Sequence, residues 1–207
     1  MSDREIRLLE RAVEEGDELA REPLLRARVR AGLVSQERLN LAAALGDELA
    51  RRVGGRARYA QEWQEWGGSA LVDRRTLEED PGFLSLSRDE VVGLACDWAE
   101  AALLAWEAQF VEDRRTRKIL AALKGGAVAA AVRDSLDATR CAVAWGYDRA
   151  GDSAASLYYA ALAAQAEAHE TRISAATGAM VRARVSGSVR PDDQRLAVIR
   201  VALSTPP

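Results

Sequence analysis

Apolar residues recur at intervals of three and four along most of the chain, the spacing that gathers them on one face of an α-helix. Ile6, Leu8, Leu9 and Val13 make such a face for a first helix, and Leu24, Leu25, Val29 and Leu33 for a second. Pro23 falls early in the second pattern, so that helix either starts there, with proline in its tolerated first turn, or is kinked. Ser35 reads as the N-cap of a third helix carrying Leu39, Leu41, Ala42 and Leu45. Farther on, Ser87-Arg88-Asp89-Glu90 has the form of a capping box. It predicts a long helix running to about Val111, with Val91, Leu94, Ala95, Trp98, Ala102 and Trp106 turned to the core.

Four more helices are expected after it. One runs from about Arg114 to Lys124 and ends at Gly125-Gly126, and one from about Ala127 to Ala150 stops at Gly151. A third runs from Ser153 to about Arg184 unless Gly178 breaks it, and a last short one opens at Pro191 and carries Leu196, Ile199 and Leu203. The fold class is all-α, an antiparallel helical bundle or a short helical-repeat stack.

The string Gly16-Asp17-Glu18-Leu19-Ala20-Arg21 recurs 30 residues later as Gly46-Asp47-Glu48-Leu49-Ala50-Arg51, with a weaker echo at Gly151-Asp152. Gly-Asp suits a helix junction, because glycine closes one helix in the left-handed conformation and the aspartate caps the next. A single helical domain over 1–207 is expected, with repeat-like helices in 1–53, an irregular connection in 54–86 and a bundle in 87–203. Gly54-Gly55, Gly67-Gly68 and Pro81-Gly82 punctuate the connection, which holds a short helix around Tyr59 to Trp66 and the acidic run Glu78-Glu79-Asp80.

Composition supports the helical reading: 48% of residues are hydrophobic but only 5% aromatic, so the apolar content is mainly Ala, Leu and Val. The net charge of −3 offers no basic footprint for nucleic acid or an anionic membrane. Charge is uneven, since residues 61–112 hold 12 acidic and three basic groups. No stretch reaches the roughly 18 to 20 apolar residues of a membrane span. The charged N-terminus and the absence of a Cys-x-x-Cys spacing lead to the expectation of a cytoplasmic protein with two reduced, buried thiols, Cys96 and Cys141.

Candidate chemistry is sparse. One histidine, His169, and two separated cysteines do not make a zinc ligand set. Glu167 and His169 are spaced by two, not by the three of a di-iron Glu-x-x-His pair. Gly125-Gly126 lacks the rest of a phosphate-binding loop and reads as a corner. Arg114, Arg115, Arg117 and Lys118 form a basic cluster without interleaved aromatic rings, which fits a charged helix surface better than a nucleic-acid platform. No catalytic, cofactor-binding or metal-binding residue is assigned, and an enzyme is not expected. Trp98, Trp106 and Trp145 fall on apolar helical faces and are expected in the core, whereas Trp63 and Trp66 lie among Gln and Glu beside a glycine pair, placed to anchor a partner.

Ala95-Cys96-Asp97-Trp98, Trp106-Glu107-Ala108-Gln109-Phe110 and Asp113-Arg114-Arg115-Thr116-Arg117-Lys118-Ile119 lead into Ala-rich helices that end in Ala166-Glu167-Ala168-His169. From Gly93 to about His169 the chain thereby resembles a family of immunity proteins from bacterial polymorphic-toxin systems. Upstream, Arg28 to Leu39 and Leu45-Gly46-Asp47 resemble a segment of uncharacterised proteins of myxobacterial or planctomycete type. The resemblance implies an α-helical cytoplasmic protein that binds and neutralises a cognate toxin by shape and charge. The expected function is therefore non-catalytic binding of a partner protein, with Trp63, Trp66, Glu78, Glu79 and Asp80 as the contact residues. The alternative is a scaffolding helical adaptor that self-associates into a homo-oligomer.

Overall fold

The two Gly-Asp strings fold as helix corners. In the computed structural model, which describes residues 3–56 and 74–204, Gly16 and Gly46 take φ +93° and +94°. At each, the amide of the following aspartate reaches back to a carbonyl five residues earlier, Asp17 to Ala12 and Asp47 to Ala42, closing the preceding helix. The aspartate side chains then accept from the next turn, Asp17 from the Leu19 amide at 2.9 Å and Asp47 from the Ala50 amide at 2.6 Å. The helices so joined are α1 (Asp3–Glu14), a 3-10 turn (Glu18–Ala20), α2 (Arg21–Arg30), α3 (Gln36–Ala44) and α4 (Glu48–Val53). Pro23 sits in the first turn of α2 without breaking it, and Ser35 caps α3 through the Arg38 amide.

The chain continues through α5 (Arg74–Glu79), α6 (Pro81–Leu84), α7 (Arg88–Gln109), α8 (Arg115–Lys124), α9 (Val128–Ala144), α10 (Asp148–Gln165), α11 (His169–Val185) and α12 (Pro191–Leu203). There is no strand among the described residues, so the fold is all-α. The chain gathers into two compact units. The first takes the described residues of Met1–Leu71, Asp80–Leu86 and Arg195–Pro207, and the second those of Val72–Glu79 and Ser87–Gln194. Within the expected irregular connection, the described residues include two short helices, α5 and α6.

In the first unit, Ile6 on α1 packs with Leu24 and Ala27 on α2, with Leu9 and Val13 at the edge. Leu8, expected on that face, is 58% exposed. Gly82 on α6 lies so close to α3 that a Cβ there would stand 2.4 Å from the Glu37 carbonyl oxygen. The last helix closes the unit, with Val198 and Ala202 fully buried and Arg195 donating to the Leu45 carbonyl at the end of α3.

In the second unit α10 is the central helix, packed against α7, α8, α9 and α11. Its buried residues are small, among them Ala150, Gly151, Ser153, Ala154, Ser156, Ala160 and Ala161, which lets neighbouring backbones approach on several sides. Ser153 donates to the Ala102 carbonyl of α7 at 2.7 Å, and Ser156 to the Ala179 carbonyl of α11 at 2.9 Å. Satisfied in this way, the hydroxyls cost little to bury.

Two expected breaks move. The helix meant to stop at Gly151 ends at Ala144, and Gly151 lies inside α10. The long helix drawn from Ser153 to Arg184 breaks at residues 166–168, while Gly178 stays helical and lets the Tyr159 ring pack within 2.8 Å of where its Cβ would be. The corner at 166–168 is held by arginine. The guanidinium of Arg172, 6% exposed, donates to the Ala166 and Glu167 carbonyls, and Arg88 donates to the Ala164 carbonyl.

This device recurs. All but two of the chain's 29 cations are arginine, and Arg26, Arg38, Arg51, Arg74 and Arg149 also donate to main-chain carbonyls. The last carbonyls of a helix lack intrahelical donors, and a planar guanidinium with five N–H groups can serve them. Much of the positive charge is thus spent within the fold.

Candidate functional site

Phe110 ends α7, and its ring gathers three others: Trp106 at 4.5 Å, Tyr147 at 5.4 Å and Trp145 at 5.8 Å between centroids. Trp145 and Tyr147 come from the α9–α10 corner, on either side of Gly146. Gly146 has φ +75°, the Gly146 amide donates to the Val143 carbonyl, and the Tyr147 amide donates to that of Ala142. That pairing reverses the chain within a few residues and brings both rings to Phe110.

Trp106 is buried and anchors the group, but Trp145, expected in the core, is 64% exposed. The apolar face of α9 runs through Ala131, Ser135, Ala138 and Ala142. Trp145 follows the last turn, where the helix no longer directs it inward. Leu104, Val111 and Val143, near these rings in sequence, are 62%, 71% and 56% exposed. Beside them Leu104, Ala105, Ala108, Gln109 and Tyr147 line an open groove of about 450 Å³ with Asp148 and Arg149. Arg149 is turned to the Ser186 carbonyl at 2.8 Å, whereas the Asp148 carboxylate has no partner among the described residues. Exposed aromatic rings on a buried aromatic anchor, beside an open groove with an exposed leucine, have the make-up of a protein-binding hot spot.

The residues singled out for partner contact fare differently. Trp63 and Trp66 lie outside the described residues. Glu79 is exposed and paired with Arg75 at 2.9 Å. Glu78 ties α5 to α11: it accepts from Arg74 at 2.8 Å and from the Thr177 hydroxyl at 2.7 Å, while Arg74 also reaches the Ser174 hydroxyl. Burial pushes the Glu78 pKa up, but hydrogen bonds from Arg74, Thr177 and Ser174 and the Arg74 charge bring it below its ordinary 4.5. Asp80 is only 6% exposed and caps α6, accepting from the Gly82 and Phe83 amides at 2.7 and 3.2 Å. The acidic run is thus engaged within the fold, in two ion pairs and one helix cap, with Glu79 the exposed member.

Cys96 is buried on α7, and burial pushes its thiol up to about 11, so it stays protonated at neutral pH. Cys141 is half-buried. His169 opens α11 with its Nδ1 3.4 Å from an Arg172 nitrogen. Among the described residues there is no cluster of histidine, cysteine and carboxylate able to hold a metal ion, and no helix is long and apolar enough to cross a membrane.

The fold and the surface together define an all-α protein whose most distinctive feature is an exposed aromatic end. Comparisons with known protein families, with curated proteins and with solved structures found no match.

Proposed function

We propose that this is a non-catalytic helical protein that binds a partner protein through the aromatic end of its second unit, in the manner of an immunity protein that neutralises a toxin. The observation that carries the reading is the pair of exposed rings, Trp145 and Tyr147, packed on Phe110, with the exposed Leu104 lining the groove beside Tyr147. Keeping so much apolar surface in water is unfavourable, and covering it stabilises a complex by about 25 cal/mol per Å² removed from water, before the losses of association. The resemblance to immunity proteins, from Gly93 to His169, lies wholly within this unit.

The test is affinity purification of the tagged protein from its native lysate at low and moderate salt, with mass spectrometry of what is retained. The expected result is one stoichiometric protein, lost from a Leu104→Ser, Val111→Ser, Trp145→Ala variant that keeps the wild-type melting temperature. Recovery of no protein other than this chain overturns the reading in favour of a self-associating scaffold.

A further inference from the structure

Between α8 and α9 runs a second open groove, of about 830 Å³, whose two walls carry opposite charge. Arg114, Arg115 and Lys118 stand on the α8 side, Asp134 and Asp137 on the α9 side, and Ile119 and Ala122 also line it. Arg115 is cancelled by Asp113 at 3.1 Å. Arg114 and Lys118 have no side-chain partner among the described residues. The two aspartates reach only exposed arginines of their own helix, Asp134 pairing with Arg133 at 3.2 Å and Asp137 with Arg140 at 3.9 Å. Pairs of that kind are weak and easily exchanged. Glu112, the remaining charged residue of the groove, lies at its loop end.

We propose that the occupant of this groove is a second copy of the chain, docked about a two-fold axis that runs along the groove. A partner recognised by charge alone needs one sign, whereas a surface that bears both signs side by side is complementary to itself. The two-fold operation exchanges the walls: α8 of one copy faces α9 of the other at the same level, and the reverse pairing forms on the other side of the axis. Each copy then sets Arg114 and Lys118 against Asp134 and Asp137 of its twin, so every pairing occurs twice. The contact is largely electrostatic and correspondingly sensitive to salt. It uses a surface other than the aromatic end and does not depend on the partner reading above.

Sedimentation velocity of the purified chain over a range of concentrations, in low and in high salt, reads the assembly directly. The wild type is expected to be dimeric in low salt and to dissociate in high salt. Arg114→Glu with Lys118→Glu places like charges across both halves of the contact, and Asp134→Lys with Asp137→Lys does the same with the opposite sign. Each variant alone is expected to be monomeric with its helical circular dichroism intact. An equimolar mixture of the two restores attraction on both sides, so native mass spectrometry should show a 1:1 heterodimer. If a reversal variant loses its helical signal, Asp134→Asn with Asp137→Asn takes its place, with a weakened dimer expected. A wild type that stays monomeric in low salt at its highest soluble concentration overturns the proposal. So does a reversal variant that still dimerises, or a mixture of folded reversal variants that stays monomeric. Loss of the dimer in Trp145→Ala would move self-association to the aromatic end and overturn the groove as its seat.

Discussion

The corner after α3 and the corner after α9 share one backbone device and use it to opposite ends. At Gly46 the chain reverses, Asp47 caps the next helix, and the Arg195 guanidinium covers the Leu45 carbonyl, so polar groups are matched and little apolar surface remains. At Gly146 the same reversal is followed by Tyr147, which supplies no side-chain cap, and the residues around the glycine are Trp145 and Tyr147, set outward against Phe110. The first corner is a joint and the second a surface. Backbone conformation does not separate them; the side chains beside the glycine do.

If the joints of the first unit are closed and the aromatic end of the second is open, substitutions should divide accordingly. The largest effect is expected for Gly82→Ala, where the new Cβ meets the Glu37 carbonyl at 2.4 Å. Main chain cannot rotate away, so the cost should be about 3 kcal/mol, the upper part of the overpacking range, measured by urea denaturation. Next come the two corner glycines. Gly46→Ala combines left-handed strain with a Cβ 2.9 Å from the Arg195 guanidinium, whereas Gly146→Ala meets nothing within 4 Å. The expected losses are about 2 and about 1 kcal/mol, and pairing Gly46→Ala with Arg195→Ala in a double-mutant cycle should show coupling between them.

Smaller again is the contribution of Glu78, which tests whether α5 is held by charge. Its folded pKa lies below the ordinary 4.5, so its carboxylate stabilises the folded chain above that value, and the contribution is lost as pH falls through the depressed folded value. Melting temperatures of wild type and Glu78→Gln should therefore differ at neutral pH and converge in acid. Least affected should be Trp145→Ala, with under about 0.5 kcal/mol of stability lost because the ring is mostly in water. A loss as large as that at Gly46 would mean that Trp145 serves the fold and not a surface.

The local signals of this chain were legible wherever a few neighbouring residues suffice. Ser87 and Glu90 form the capping box that their spacing announces, and the core positions from Val91 to Trp106 are buried as the periodicity requires. Gly16-Asp17 and Gly46-Asp47 are corners because both halves of the signal lie in adjacent residues. Gly146 is followed by a tyrosine and not an aspartate, so its only local mark is a lone glycine inside an apolar pattern. Gly151-Asp152 was misread for the converse reason: the pair carries the corner signature, but packing keeps it helical, Gly151 lying against Val143.

The candidate site shows the same division. Glu78, Glu79 and Asp80 read as one acidic surface because a sequence shows charge without showing its partners. Arg74 and Thr177 engage the first, Arg75 pairs with the second, and the amides of α6 take up the third. Arg74 and Arg75 stand at an i, i+4 spacing from their partners and the α6 amides two and three residues from Asp80, but the link from Glu78 to Thr177 spans 99 residues.

What the sequence by itself determined is the helical class, most helix starts and the α7 core, since these follow from caps and from a period of 3.6 that acts within a few residues. Which helix stands at the centre, which arginines serve distant carbonyls and which tryptophan stays in water were decided only by the tertiary structure. Those outcomes depend on atoms brought together from distant parts of the chain: Trp106 and Trp145 both lie on apolar helical patterns, and only the end of α9, set against Phe110, leaves one of them exposed.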